Sequence, residues 1–257
     1  MSARAADRAQ ATLEAVDVTK SFGGVHALRG VTLDLVEREI VGLIGPNGSG
    51  KTTLLNCIGG VYAPTSGHIL LDGAPLGGRA GYRIARAGVI RTFQNIRLFG
   101  NLTALQNVEI SALATKQVGR ARSREHAAAL LEELGISQLA ERDAGTLSYG
   151  DQRRLEIARA LAAGPRFLLL DEPAAGMNEA ESDAVRAQVQ RVRSERGCGV
   201  LVVDHDLRLI MQLCDRIYVL NEGEVIATGT PAEVRRDPAV IAAYIGEEEH
   251  DERGDDE

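Results

Sequence analysis

The sequence predicts an α/β fold: a mostly parallel sheet wrapped by helices, with an antiparallel β edge and an inserted α-helical subdomain. Three observations carry this expectation. Unbroken apolar runs recur at residues 39–44, 167–171, 199–204 and 216–220. Helical patterns at 51–59, 149–163, 178–196 and 206–214 alternate with them. Residues 95–146 contain no apolar strand run and interrupt that alternation. A strand covered on both faces reads as continuous apolar sequence, and strands alternating with helices build a parallel sheet.

Along the chain, residues 1–12 read as a flexible arm ahead of a folded domain spanning 13–246. Residues 13–18 and 31–35 alternate apolar with polar, as strands with one solvated face do, and supply the antiparallel edge. Amphipathic helices are expected near 103–115 and 123–135, inside a helical subdomain inserted over about 95–165. Gly135 and Gly145 are placed to end or hinge its helices. The last stretch, 247–257, holds eight acidic residues and one arginine, so it accounts for the whole formal charge of −7. It reads as a disordered, solvated tail.

Composition narrows the function. With 257 residues, 44 % of them hydrophobic, the chain can bury a large core, built of Val, Ile, Leu and Ala because aromatics are only 4 %. Once the tail is set aside the body is formally neutral, which gives no broad basic face for nucleic acid. Cys57, Cys198 and Cys214 lie far apart within apolar patterns and read as buried thiols, not disulfides or metal ligands. No stretch reaches the roughly 18 apolar residues needed to cross a bilayer, and the first residues lack the apolar region of a signal peptide. The expected location is the cytosol, unless a partner holds the chain at a membrane.

Gly45-Pro46-Asn47-Gly48-Ser49-Gly50-Lys51-Thr52 fulfils G-x-x-x-x-G-K-[ST] between a buried strand and a helix that continues through Thr53. Glycines let the backbone curl so that successive N–H groups point at phosphate oxygens, and the helix start adds partial positive charge. Lys51 is a point charge for the β- and γ-phosphates, and Thr52 offers a hydroxyl to Mg²⁺. The expected ligand is therefore a nucleotide with Mg²⁺, and the motif alone does not say which machine uses it. A chance glycine-rich turn would not also bring the strand, the lysine and the helix.

The run 167–171 ends in Asp171 and Glu172. Ligands gather at the carboxyl ends of parallel strands, so Asp171 could hold Mg²⁺ through water and Glu172 could orient the attacking water. Alone, two acids followed by Pro173 would merely begin a turn. Beside a phosphate cradle they read as catalytic.

Leu147-Ser148-Tyr149-Gly150-Asp151-Gln152 resembles the signature motif of the ABC ATPases. Ser148 can cap the following helix, whose start is a second anion site with Gly150 and Asp151. A chain with one complete cradle has no need of a second, so this one serves the nucleotide of a neighbour across a head-to-tail dimer. The resemblance covers 13 to about 246 and implies further roles. Gln94, in Arg91-Thr92-Phe93-Gln94, resembles the glutamine that contacts Mg²⁺ or the attacking water. His205 resembles the switch histidine at the γ-phosphate, and Phe22 stands where an aromatic stacks on adenine. Residues 175–178 match the D-loop, although Glu179 replaces the proline that usually follows.

Within that family the chain is most similar to the larger of the two paired ATPase types that power branched-chain amino acid importers. The phrases that carry this are 91–99, 147–150, 171–176 and Tyr244-Ile245-Gly246-Glu247. The resemblance implies a homodimer or a heterodimer with a sister ATPase, two membrane permeases, a periplasmic or extracellular solute-binding protein, and work at the inner face of the plasma membrane. Importers of urea or short amides, and the lipopolysaccharide-export ATPase, share much of the pattern. ABC proteins of translation or DNA repair usually carry two ATPase units or a long coiled-coil insert, and this chain shows neither. A small-molecule kinase on the same cradle would leave 147–152 and His205 unexplained.

Overall fold

A computed structural model of the chain describes residues 11–251. Two long strands, β1 (Thr12–Phe22) and β2 (Val25–Val36), come first as an antiparallel hairpin. β3 (Ile40–Ile44) leads into α1 (Lys51–Ile58), followed by β4 (Ser66–Leu71), β5 (Ala74–Pro75), α2 (Gly81–Arg86) and β6 (Val89–Arg91). Three helices then come in succession: α3 (Ala104–Ala114), α4 (Arg120–Glu133) and α5 (Tyr149–Ala162). The chain returns to alternation with β7 (Phe167–Asp171), α6 (Glu179–Arg196), β8 (Gly199–Val203), α7 (Leu207–Leu213) and β9 (Arg216–Asn221). β10 (Glu224–Gly229), α8 (Pro231–Val234) and α9 (Pro238–Asp251) complete it.

Six strands form the main sheet in the order β10-β9-β3-β8-β7-β6, parallel except for β10. β3, β7 and β8 are buried along their whole lengths, which is why their sequences are unbroken apolar runs. The antiparallel part is larger than an edge: β2-β1-β4-β5 make a second sheet. Successive side chains on the main sheet point to opposite faces and feed two cores. Val41, Leu43, Leu169, Leu201 and Val203 pack with α1 and the antiparallel sheet. Ile40, Ile44, Leu168, Leu170, Val200 and Val202 pack on the other face with residues of α5, α6 and α7.

The interruption at 95–146 is helical as expected. Thr103 caps α3 in a reciprocal box with Gln106, and buried Asn107 binds the amide and carbonyl of Phe99 to lock the loop before it. Gly135, at φ +69°, follows the end of α4, whereas Gly145 lies in a short 3₁₀ turn against Gly100 and ends no α-helix. At the termini, Ala11 is buried and Thr12 opens β1, so both belong to the fold and not to the arm; residues 1–10 lie outside the described residues. α9 runs to Asp251, which makes 247–251 helical where the sequence suggests disorder, and 252–257 lie outside the description.

Candidate active site

The loop between β3 and α1 takes its shape from glycine. Gly45 has φ +148°, and a β-carbon there would stand 1.9 Å from the Leu220 carbonyl oxygen. Gly50, at φ +106°, would meet the Ala27 carbonyl at 2.6 Å. Both positions need glycine for conformation and for room. Lys51 turns its ammonium back into the loop, donating to the carbonyls of Gly45 (2.6 Å) and Pro46 (2.7 Å). Above the loop lies a cleft of about 290 Å³ lined by Ala27, 47–53, Gln94 and Glu172.

Besides Ala27 of β2, that lining joins three segments far apart in sequence. Asn47, Gly48, Ser49, Gly50, Lys51, Thr52 and Thr53 come from the loop and the start of α1, Gln94 follows β6, and Glu172 ends β7. Gln94 Nε2 donates to Glu172 Oε2 at 2.9 Å, which leaves Oε1 as its acceptor. His205 follows β8 and is 70 % exposed; its Nδ1 lies 3.8 Å from Glu172 Oε2 and 3.7 Å from Asp204 Oδ1. Glu172 itself adopts φ +47°, a strained conformation for a side chain larger than glycine. The three residues expected to be catalytic thus converge.

Asp171 sits one position back and does not line the cleft. It is buried, and Arg91 donates to its Oδ2 at 2.8 Å while also binding Asn56 Oδ1 at 2.7 Å. At the next strand end Asp204 is buried too and accepts from the amides of Ala174 and Asp206. Burial pushes its carboxyl above the usual range.

The remaining expected residues lie apart from this cleft. Phe22 is 41 % exposed at the β1–β2 hairpin and meets Tyr62 edge-on, with ring centres 5.1 Å apart. Lys20 Nζ lies 5.0 Å from the Phe22 ring centre and 5.5 Å from that of Tyr62. Ser148 caps α5: its Oγ accepts from the Asp151 amide and donates to Asp151 Oδ2 at 2.7 Å. Neither Phe22 nor Ser148, Gly150 or Asp151 lines the cleft. Asn178 caps α6 reciprocally with Glu181, so Glu179 takes the first helical position after the D-loop segment.

Sequence reasoning passes over Asn56, Tyr62, Arg91 as a partner of Asp171, Asp204, and Arg153. Arg153 and Glu156 did leave a signal. They stand three apart on the face of α5 that also carries buried Ile157 and Ala160, where two charges demand a partner. Among the described residues no group of three or more His, Cys, Asp or Glu is arranged to hold a metal ion, and no helix is long and apolar enough to cross a membrane.

Comparison with known proteins gives this arrangement a family. Residues 28–175 match the ABC transporter model, and 224–250 match that of the branched-chain amino acid ATP-binding cassette transporter. The high-affinity branched-chain amino acid transport ATP-binding protein BraF of Pseudomonas aeruginosa is 46 % identical over 249 residues, covering 91 % of this chain and 98 % of that protein. The crystal structure of the ADP conformation of MJ1267, an ATP-binding cassette of an ABC transporter, superposes with a TM-score of 0.82 at 30 % identity, covering 92 % of this chain and 99 % of that one. A dimeric post-hydrolysis structure of the cassette MJ0796 bound to ADP and Pi matches with a TM-score of 0.77 at 30 % identity, covering 85 % and 98 %. On these likenesses the chain belongs to the ABC transporter family as an ATP-binding, ATP-hydrolysing subunit.

Proposed function

We propose that this chain powers the uptake of branched-chain or closely related hydrophobic amino acids through separate permease subunits, as one half of an ATPase dimer at the inner face of the plasma membrane. Two likenesses support the solute: the name of BraF, and the match of residues 224–250, which lies outside the generic ATPase part. One observation carries the dimer. The cleft is lined by Ala27, 47–53, Gln94 and Glu172 and is open to solvent above exposed Asn47, Gly48 and Thr52, while Ser148 and Gly150 stand at another exposed helix start. The dimeric relative bound to ADP and Pi is consistent with a second copy bringing those residues to the open side.

In this reading the amides of 47–53 and Lys51 hold the phosphates, with Lys51 leaving the loop carbonyls for the β- and γ-phosphate oxygens. Phe22, with Tyr62 as its neighbour, receives the adenine. Glu172 orients water towards the γ-phosphorus, Gln94 holds the Glu172 carboxylate, and His205 contacts the transferring phosphoryl group. Thr52, Gln94 Oε1 and, through water, Asp171 offer the hard oxygen donors that suit Mg²⁺, which when bound neutralises charge on the β- and γ-phosphates. Ser148, Gly150 and Asp151 of the second copy close over the γ-phosphate, and closing and opening of the pair drives the permeases.

Glu172→Gln tests the chemistry. It is expected to keep ATP binding and to lower phosphate release by at least ~10²-fold, the loss of a general base. Near-normal turnover removes Glu172 from its role. Uptake in cells lacking this chain tests the solute. Leucine, isoleucine and valine uptake should fail and return with the wild-type chain but not with Glu172→Gln. Intact leucine uptake beside lost urea uptake would reassign the solute.

A further inference from the structure

We infer that Arg153 is a positioning residue for hydrolysis: from α5 it clamps the backbone under both Glu172 and Gln94 and so fixes the geometry in which their side chains meet. This rests on the proposed role of Glu172. Arg153 is 1 % exposed, and its guanidinium reaches five acceptors with its five N–H groups. Nε donates to the Pro173 carbonyl at 3.2 Å. One terminal nitrogen donates to the Phe93 carbonyl at 2.9 Å and to Glu156 Oε2 at 2.6 Å. The other donates to the Asp171 carbonyl at 3.2 Å and to that of Glu172 in a shorter contact.

Four of the five acceptors are backbone oxygens of just two loops. Asp171, Glu172 and Pro173 are the turn that bears the proposed water-orienting carboxylate, and Phe93 precedes Gln94. Glu172 holds φ +47° there, a conformation that persists only where its surroundings enforce it. Its amide is tied to the Val203 carbonyl at 2.7 Å, and its carbonyl accepts from Ala175 and from Arg153. Without the guanidinium, the carbonyls of Phe93, Asp171, Glu172 and Pro173 lose a donor at once, and the two segments stay joined only upstream of Gln94 and Glu172, through the β6–β7 pairing, Arg91 on Asp171, and the Asp171 amide on Thr92 Oγ1 at 3.3 Å.

Glu156 sets the guanidinium in place. It is equally buried and lies one helical turn along the same helix, and the pair neutralises a charge that would otherwise be buried alone. A buried ion pair of this kind contributes little net stability by itself, so the four carbonyl contacts are the reason to bury an arginine here. Lysine is not a substitute. Its three donors radiate from one point, whereas the planar fork reaches two loops at once.

Arg153→Lys and Arg153→Gln are compared with wild type and with Glu172→Gln, in single and double variants. The expected result is a kcat lowered about 10- to 100-fold, as misplacement of a reacting group on the ångström scale produces, with the Kd for a non-hydrolysable ATP analogue within about twofold of wild type. In the Glu172→Gln background Arg153→Lys should lower the residual rate less than twofold, because the group it positions is gone. Multiplication of the two losses, or equal losses in kcat and analogue binding, would reduce Arg153 to a structural part and overturn the inference. If Arg153→Lys folds poorly, judged by Tm, Glu156→Gln gives the same test, since it keeps the size of the partner and loosens the guanidinium. A normal kcat in every Arg153 and Glu156 variant while Glu172→Gln is slow overturns the inference alone; a normal rate in Glu172→Gln overturns the parent reading.

Discussion

At Gly45 the phosphate loop has no tolerance. The φ of +148° lies where only glycine is at ease, and a methyl group would press on the Leu220 carbonyl of the neighbouring strand β9. Gly45→Ala is therefore expected to cost at least ~2 kcal/mol, lowering Tm by about 5 °C in a chain of this size. It should also weaken ATP binding, because relief of the clash moves the loop amides. Thermal unfolding and nucleotide titration of the variant check this; wild-type values of both would mean that the loop is not held as described. Gly48, at φ +74°, has open space around it and should tolerate alanine better in packing, though not in conformation. These glycines were legible in the sequence because their spacing encodes backbone shape directly. The carbonyls that Arg153 holds and the Arg91–Asp171 pair were not, since they lie 18–20 or 60 residues away for one and 80 for the other, and no local period marks such contacts; only the Arg153–Glu156 spacing left a trace.

The elements divide in the same way. β3, β7, β8 and β9 were read within a residue or so, because a central parallel strand is apolar on both faces. β6 escaped notice. It is three residues long and takes its identity from pairing with β7, yet it delivers Arg91 to Asp171 and leads to Gln94. β5 was missed because two exposed residues leave no pattern, and β4 because only Ile69 and Leu71 of its six residues are buried. The buried elements also set a pH limit. Cys198, beside the first residue of β8, is pushed up to about 12 by burial, and burial raises Cys214 after α7 and Cys57 in α1 as well. A thiol whose folded pKa is raised keeps its proton when the unfolded chain loses one near pH 9, so ν is larger in the folded state and stability falls as pH climbs. For Cys198 the loss runs from about pH 9 to about 12, at up to ~1.4 kcal/mol per pH unit. Urea unfolding at pH 8 and pH 10.5 should show a smaller decline for Cys198→Ala than for wild type; equal declines would place the thiol in contact with solvent.

For the whole molecule the proposed division of the site between copies matters most. Asn47, Lys51, Thr52, Gln94 and Glu172 share one cleft, while Ser148 and Gly150 stand at the start of α5 outside it. The sequence suggested this split because it contains two anion-binding helix starts, and one phosphate loop already makes a complete cradle. The contact between copies was beyond reach, since it depends on surfaces and not on periodicity. Ser148→Arg separates the two halves of the site experimentally. An arginine at the positive end of α5 is repelled by the helix dipole and would occupy the space that the proposed dimer gives to a neighbour's γ-phosphate. It touches nothing in its own cleft, so the Kd of the monomer for ATP should stay within about twofold, the same factor that separates a local from a remote change in the arginine series. Hydrolysis should instead fall to the level of Glu172→Gln, and raising the protein concentration should not restore it. Wild-type specific activity, by contrast, should climb with concentration as pairs form, and ATP should shift the wild-type but not the variant to dimers in size-exclusion chromatography with light scattering. Full specific activity at dilutions where light scattering finds monomers alone would show that one copy assembles its own catalytic site, and the role given to Ser148 and Gly150 would pass to residues of the same chain.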